Sequence, residues 1–273
     1  MAEQESYQLQ GNAPQIYEEH SVSTIFQPLA KLTLHHVDVE ESARVIDVAC
    51  GTGIVGRLVA EKLGKSGSVV GVDLNDGMIE VAKRSAPVTD ANVEWRQGDV
   101  SALPFPDASF DIAFCQQGLQ FFPDKLAALK EIRRILTPGG TLILTVWSSI
   151  PPSNAAIADA LTRYVGAEVA KTSLAPFSFH DPEVIQALFV ESGFLEIQME
   201  ILTFDRLVGP AEESIPKIMA SAPYANEVEK LDLATREAMV MEIGESMRDY
   251  RTDIGFTIPM ETYLFRGNCK VGV

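Results

Sequence analysis

The feature that most constrains the fold is a short apolar strand followed at once by a glycine-rich turn. Residues 44–48 are mostly β-branched and apolar, which predicts a buried strand. The next residues, 50–53, include two glycines that tolerate a left-handed backbone. An apolar helix carrying Ile54, Leu58 and Leu63 follows. The order strand, tight turn and helix is the first half of a βαβ unit and predicts a parallel sheet.

The same alternation continues to Trp147. Further strands are predicted at 68–74, 92–97, 110–115 and 141–147, with helices at 77–85 and 124–136, the second stopped by Pro138-Gly139-Gly140. Apolar strands that alternate with helices require a parallel sheet covered on both faces. We therefore predict a doubly wound α/β fold whose ligand crevice lies beyond the carboxyl ends of the strands.

The two ends of the chain and its last third have a different pattern. Residues 1–40 are predicted as a helical segment, with a helix pair between Ser6 and Val37, and residues 41–205 with 254–273 as the core. Beyond the fifth strand we expect a helix from Asn154 to about Val169, a helix from Asp181 to Gly193, and strands at 196–204 and 256–266. Residues 206–253 are predicted to be a helical insertion that acts as a substrate lid.

Charge and cysteine content exclude several classes of protein. The formal net charge of -16 disfavours nucleic acid as a partner, because no basic run offsets it. The three cysteines are widely spaced, so neither a disulfide framework nor a zinc site is expected. Without a signal peptide pattern or a long apolar run, the sequence predicts a cytoplasmic protein, monomeric or homodimeric, that does not bind membranes.

The glycine turn raises the question of which ligand it binds. Gly51, Gly53 and Gly56 fit the pattern G-x-G-x-x-G, and Asp73 follows Gly53 by twenty residues, which is the spacing of a dinucleotide site. However, Asp47 stands at the end of the first strand, directly beside the turn. A carboxylate there repels a pyrophosphate and favours a cation. S-adenosylmethionine (SAM) brings two cations, an ammonium and a sulfonium, so the turn favours SAM over NAD.

The motif around this acid resembles motif I of class I SAM-dependent methyltransferases, and it is similar to the ubiquinone/menaquinone C-methyltransferase group. The family pattern is acid-x-Gly-x-Gly-x-Gly, and Ala49 stands here in place of its first glycine. The resemblance runs from about Tyr17 to Trp147. Its further motifs are Val72–Leu74 with Met78, Gln97–Val100, Phe110–Leu119 and Leu136–Leu142.

This resemblance implies a Rossmann-like methyltransferase fold, with a seven-stranded, mostly parallel sheet whose last strand is antiparallel, and SAM as cofactor with S-adenosylhomocysteine (SAH) as product. It implies that Asp73 binds the ribose hydroxyls, that Met78 packs on the adenine, and that Asp99 binds the adenine amino group. Taken singly, Asp73 could cap a helix, Asp99 could belong to a turn, and Met78 could belong to the core. The complete set of expected cofactor residues is Tyr17, Asp47, Ala49, Cys50, Gly51, Gly53, Asp73, Leu74, Met78, Gly98, Asp99, Val100, Gln116 and Leu119.

The methyl acceptor is expected to be a small molecule placed over the loop from Gln116 to Phe122. Methyl transfer from a sulfonium is an in-line displacement by a nucleophile, and a phenol, enol or carboxylate needs little or no general base. Many relatives carry a histidine near position 120, where this chain has Gln120. The candidate bases that remain are His20, His180 and Tyr224.

Two other functions stay open at this point. The cofactor motifs also occur in proteins that bind SAM without transferring methyl, as a regulator or a cyclase. An NAD-dependent oxidoreductase is the second alternative, but it would need a pyrophosphate beside Asp47. Enzymes that methylate exocyclic amines of adenine or glutamine commonly carry Asn/Asp-Pro-Pro-Tyr/Phe after the fourth strand, and Gln116–Leu119 stands there instead. Whether oxygen, carbon or nitrogen receives the methyl group is left open.

Overall fold

The structure is a computed structural model that describes Leu9 and residues 11–271. Within these residues the strands are β1 (Arg44–Val48), β2 (Ser68–Asp73), β3 (Asn92–Gln97), β4 (Phe110–Gln116), β5 (Leu136–Trp147), β6 (Leu195–Val208), β7 (Arg251–Thr252) and β8 (Gly255–Asn268). The helices are α1 (Ala13–Ile16), α2 (Gln27–His35), α3 (Ile54–Ala60), α4 (Asp76–Arg84), α5 (Lys125–Ile135), α6 (Pro152–Tyr164), α7 (Ala167–Leu174), α8 (Pro182–Glu191), α9 (Ala211–Ala220), α10 (Ala225–Glu229) and α11 (Leu233–Ser246). A π-helical segment, Tyr17–Phe26, joins α1 to α2.

The strands form one sheet in the order β3-β2-β1-β4-β5-β8-β6. Strands β1 to β5 are parallel, and β8 runs antiparallel to both β5 and β6. The two-residue strand β7 pairs with β8 alone. This confirms the predicted doubly wound fold with an antiparallel last strand. The strand order reverses between β1 and β4, so a crevice opens there at the carboxyl edge of the sheet.

Apolar side chains cover both faces of the sheet. On one face Leu129 and Ile132 of α5 pack with Ile185 and Phe189 of α8. The other face is covered by the N-terminal helices and α3. Leu34 of α2 and Val55 and Val59 of α3 belong to a second apolar cluster there. The central strand β1 is buried on both sides, which is why its apolar residues do not alternate with polar ones. The crevice is therefore rigidly framed.

The N-terminal segment differs from the predicted helix pair, which was wrong. From Ala13 to His35 the chain is one helical run without a turn, and its middle third is a π-helix. Such wider turns occur frequently at functional sites. The rings of Tyr17 and Phe26, at the two ends of the π-helix, lie 5.1 Å apart. The predicted start of the first helix at Ser6 lies outside the described residues.

Two further boundaries differ from prediction. The expected single helix from Asn154 to about Val169 is wrong, because the chain breaks at Gly166, whose φ of 139° ends α6 before α7 begins. Strand β5 begins at Leu136, which pairs with Phe110, and not at Thr141. A register shift after this first pair accommodates the residues in between. Helix α5 accordingly ends at Ile135, before the Pro-Gly-Gly signal.

Helices α9 to α11 lie between β6 and β7, as expected for the insertion. They pack against α6 and the N-terminal segment, and Met239 and Ile243 of α11 share an apolar cluster with Leu161 of α6. Polar contacts also join these two helices. Glu242 of α11 accepts a hydrogen bond from the Tyr164 hydroxyl at 3.0 Å and forms an ion pair with Arg163 at 2.6 Å. The insertion thus lies beyond the carboxyl ends of β5 and β6 and the amino end of β8.

Candidate cofactor and acceptor site

A cavity of about 850 Å³ lies at the carboxyl edge of the sheet. One end is formed by the loops after β1, β2 and β3, and the other by the loop after β4, the end of β5 and the segment after α7. A smaller cavity of about 30 Å³ lies behind the glycine turn and shares Tyr17 and Gln116 with the first. Among the predicted cofactor residues, those that line one or both cavities are Tyr17, Asp47, Ala49, Cys50, Gly51, Asp73, Leu74, Met78, Gly98, Asp99, Val100 and Gln116.

The turn after β1 has three residues in the left-handed region: Ala49 (φ 55°), Gly51 (φ 56°) and Gly53 (φ 85°). An added Cβ at Gly53 would lie 2.5 Å from the indole of Trp95. Trp95, on β3, therefore packs directly under the turn and determines its height above the sheet. Sequence reasoning missed this residue, because a single tryptophan in a short strand gives no signal beyond core packing.

Asp73 holds the same turn from the end of β2. Its carboxylate accepts hydrogen bonds from the backbone N–H of Gly51 at 2.7 Å and of Asn75 at 2.9 Å. It does not cap α4, because the Asn75 side chain does so by accepting from Met78 N at 3.1 Å. A carboxylate has about four acceptor positions, so Asp73, which lines the cavity, can also accept from a ligand. Burial raises the pKa of Asp73, and the backbone donors act against this.

Asp47 lies behind the turn and is almost completely buried. It is 1% exposed and accepts a hydrogen bond from Gly56 N at 2.9 Å. Burial raises the pKa of Asp47 to about 7; the Gly56 hydrogen bond and the charge of Arg57 lower it, while the charge of Asp73 raises it. A cation that binds nearby would stabilise the ionised form of this buried carboxylate.

Two glutamines after β4 present acceptors that have no donor. The Gln116 amide nitrogen donates to Phe26 O at 3.1 Å, which leaves its Oε1 buried without a hydrogen-bond partner. The Oε1 of Gln120 is likewise buried and unpartnered. Both residues line the large cavity. Buried carbonyl oxygens without a donor cost free energy, so a ligand that brings N–H groups fits this part of the site.

The adenine end of the predicted site has a simpler geometry. Asp99 Oδ1 accepts hydrogen bonds from Ser101 N and from the Ser101 hydroxyl, both at 2.8 Å. Asp99 therefore stabilises a turn, which is the structural role that the sequence left open. It also lines the cavity, as do its neighbours Gly98 and Val100. Met78, 9% exposed at the start of α4, lies on the same cavity wall.

Five residues named from the sequence do not line either cavity. Gly53 is the last residue of the turn and faces the indole of Trp95, and Leu119 is fully buried in the core. His20 is half-buried on the π-helix, and His180 is exposed with its Nδ1 2.8 Å from Phe177 O. Tyr224 is 8% exposed and lies in the apolar cluster beneath the insertion. None of the three candidate bases therefore faces the cavity in this structure.

The charges around the cavity fit a cationic ligand at one end. Asp73 and Asp99 line the end of the cavity on the side of the glycine turn. The ammonium of Lys125 lies at the opposite end, where it donates to Phe122 O at 2.9 Å and lies 4.8 Å from the centre of the Phe179 ring. A pyrophosphate beside Asp47 and Asp73 would be repelled. In the described residues, no cluster of three or more His, Cys, Asp or Glu could hold a metal ion, and no helix is long and apolar enough to cross a membrane.

A doubly wound sheet of this strand order, with acidic side chains around the glycine turn, defines a Rossmann-like enzyme that binds a cationic nucleoside. Residues 46–144 match the family described as "Methyltransferase domain". The demethylmenaquinone methyltransferase of Staphylococcus epidermidis is 31% identical over 200 residues, which cover 68% of this chain and 80% of that protein. That of Staphylococcus saprophyticus is 30% identical over 187 residues, covering 63% and 79%.

Solved structures share the fold at lower identity. A phosphoethanolamine N-methyltransferase of Haemonchus contortus has a TM-score of 0.56 at 20% identity, covering 89% of this chain and 52% of that chain. A SAM-dependent methyltransferase of Thermotoga maritima has a TM-score of 0.52 at 19% identity, covering 94% and 100%. The chain belongs to the family of class I SAM-dependent methyltransferases that includes the demethylmenaquinone methyltransferases. It is an enzyme that uses SAM to methylate a small molecule, as its motifs implied.

Proposed function

We propose that the enzyme methylates a planar, largely apolar aromatic acceptor of the hydroquinone or phenol type. The observation that supports this is the acceptor end of the cavity, which is lined by the rings of Phe121, Phe122, Trp147 and Phe179. Flat aromatic acceptors gain from such walls through ring stacking and burial. The relatives named demethylmenaquinone methyltransferase support the same class.

The cofactor end is proposed to hold SAM in the way the family resemblance implies. Asp73 would bind the ribose hydroxyls, Met78 and Val100 the adenine ring, and Asp99 its amino group. The unpartnered Oε1 of Gln116, together with Asp47 behind the turn, would receive the methionine ammonium. When bound, SAM supplies the activated methyl group.

The acceptor is proposed to be nucleophilic without a protein base. His20, His180 and Tyr224 do not line the cavity, and Gln120 occupies the place where a histidine would face it. A hydroquinone or phenol can lose its own proton to water as the methyl group is transferred, so the aromatic walls need only to position it.

Transfer of tritium from the SAM methyl group to 1,4-naphthohydroquinone tests this proposal. We expect labelled product from the hydroquinone and none from cyclohexane-1,4-diol, a control of similar polarity that lacks the aromatic ring. Binding of SAH by calorimetry is measured in parallel. SAH binding without label in any phenol or hydroquinone would contradict the proposed acceptor class and favour a SAM-binding protein that does not transfer methyl.

The insertion predicted at residues 206–253, which in the structure begins after β6 ends at Val208, is proposed to act as the substrate lid. Ser221, which follows α9, lines the large cavity and is 9% exposed. We expect Ser221→Phe to fill the acceptor end and to lower kcat/KM for the acceptor at least tenfold, while the Kd for SAH changes less than twofold. Ser246→Phe, on the exposed side of α11, is the matched control and should change neither. Equal loss of SAH binding and of acceptor use in Ser221→Phe would contradict the lid role.

A further inference from the structure

A charged side chain lies beneath the insertion without an acidic partner. Arg206, on β6, is 4% exposed, and its Nε has no hydrogen-bond partner. Its guanidinium forms no ion pair or hydrogen bond with any other described residue. The sequence contains 38 acidic residues and 22 basic ones, so Arg206 does not lack an acidic partner because acids are scarce. Burying a cation without a partner destabilises a folded protein, so a ligand that pairs with the guanidinium would offset this effect.

The surroundings of Arg206 are apolar except for one hydroxyl. Its neighbours on the inward face of β6 are Phe204 and Val208, and it pairs with Ile258 on β8. Tyr224 packs in the same apolar cluster as Val208 and Ile258, and its hydroxyl has no hydrogen-bond partner among the described residues. Burial lowers the pKa of Arg206 to about 10 and raises that of Tyr224. At neutral pH the pair therefore presents a guanidinium and a neutral phenol, both of them donors.

Tyr224 belongs to the same apolar cluster as Trp147, a residue of the cavity wall, and the strand register places Arg206 beyond the carboxyl edge on this side of the sheet. Leu202 on β6 lies opposite Thr262 on β8, which in turn lies opposite Trp147, the last residue of β5 and part of the cavity wall. Arg206 follows four residues after Leu202 on the same face, about 13 Å further past the carboxyl edge at roughly 3.3 Å per residue. Ser221, another wall residue, precedes Tyr224 by one turn. Neither Arg206 nor Tyr224 lines the cavity in this structure.

We propose that Arg206 and Tyr224 form a binding site for a carboxylate on the aromatic acceptor, reached when the turn from Ser221 to Tyr224 moves away from the cavity. This proposal rests on the proposed function, and it specifies that the aromatic acceptor carries a negatively charged carboxylate. A guanidinium offers paired donors that match both oxygens of a carboxylate, and the phenol hydroxyl adds a third donor. In a protein of net charge -16, an anionic ligand needs such a local cation to overcome the repulsion of the surface.

Calorimetry with 2-naphthoate and 2-naphthamide in the presence of saturating SAH tests this site. The two probes have the same ring system and nearly the same size, and they differ in charge. We expect the wild-type enzyme to bind the naphthoate at least tenfold more tightly than the amide. Arg206→Met should abolish this preference, and Tyr224→Phe should reduce it three- to tenfold. Arg248→Met, which removes an exposed arginine of the insertion, should leave it unchanged.

The controls separate this site from the proposed function and from a structural role. If the wild-type enzyme does not bind SAH, the cofactor assignment itself is wrong. If SAH binds but the naphthoate is not preferred, or if the preference survives in Arg206→Met, only the anion site is refuted. Replacing an unpaired buried charge by methionine should leave the melting temperature of the free enzyme unchanged or higher. Should Arg206→Met fail to fold, an unchanged preference in Tyr224→Phe would overturn the proposal and a reduced one would support it.

Discussion

Replacing Asp73 by alanine is expected to weaken SAM binding at least a hundredfold. Two effects add in this variant. The cavity loses the acceptor positions that would bind the ribose hydroxyls, and the turn loses the hydrogen bonds to Gly51 N and Asn75 N. Hydrogen bonds that involve a charged group contribute about 1.5–3 kcal/mol each, and about 1.4 kcal/mol corresponds to a factor of ten.

Titration calorimetry with SAM and with SAH measures this change. Asp76→Ala is the matched control, because Asp76 is an exposed carboxylate only three residues away that does not line the cavity. It should leave the Kd within about threefold of wild type. Circular dichroism at the same temperature establishes that both variants are folded. A Kd for Asp73→Ala within tenfold of wild type would show that this carboxylate does not hold the cofactor.

SAM affinity is expected to rise with pH up to about 7 and then to level off. The pKa of Asp47 in the free protein is raised to about 7, chiefly by burial. A cation nearby favours the ionised form, so binding SAM should release the proton of Asp47 below pH 7. One released proton gives about a tenfold gain in affinity per pH unit, or about a hundredfold between pH 5 and 7.

The same group makes the free protein less stable as pH rises. The pKa of Asp47 is higher in the folded protein than the ordinary value of 3.8. Between about pH 4 and 7 the folded state therefore holds a proton that the unfolded chain has lost. The free energy of unfolding should fall through this range by up to about 1.4 kcal/mol per pH unit from this group. Cofactor affinity and intrinsic stability thus change with pH in opposite directions.

The variant Asp47→Asn distinguishes the contribution of Asp47 to this pH dependence from that of Asp73, whose pKa is also raised by burial. The variant should show a nearly flat dependence of SAM affinity on pH, and its unfolding free energy should lose the downward slope between pH 4 and 7. Calorimetry at four pH values from 5 to 8 and urea unfolding at pH values from 4 to 8 provide both curves. A pH dependence unchanged in Asp47→Asn would mean that another group accounts for it.

Several predictions from the sequence were confirmed because their signals are local. Strand β1 begins and ends where its largely apolar pattern does, since a parallel strand covered on both faces is mostly apolar. The predicted bounds of the edge strand β3 were confirmed as well. Asp181 caps α8 with hydrogen bonds to Glu183 N and Val184 N, as the dipeptide Asp-Pro indicated. The family of enzymes and its cofactor followed from motifs that each occupy a few consecutive residues.

The features that sequence reasoning missed depend on distant parts of the chain. Trp95 supports the glycine turn from a strand 42 positions after Gly53, and nothing near either residue indicates that they meet. Gln116 donates to Phe26 O across ninety positions, which leaves its other amide atom free to face the cavity. The roles of Leu119, His20, His180 and Tyr224 in the site stay predictions, and all four lie away from the cavity wall.

The sequence by itself determined the doubly wound sheet, the glycine turn and the preference for a cationic nucleoside. Each of these results from the backbone freedom, polarity or charge of residues adjacent in the chain. Only the tertiary structure decided which side chains line the large cavity, and it alone revealed the buried Arg206 without a partner. Burial and the absence of a partner depend on what every other segment places nearby, and no local pattern of residues carries that information.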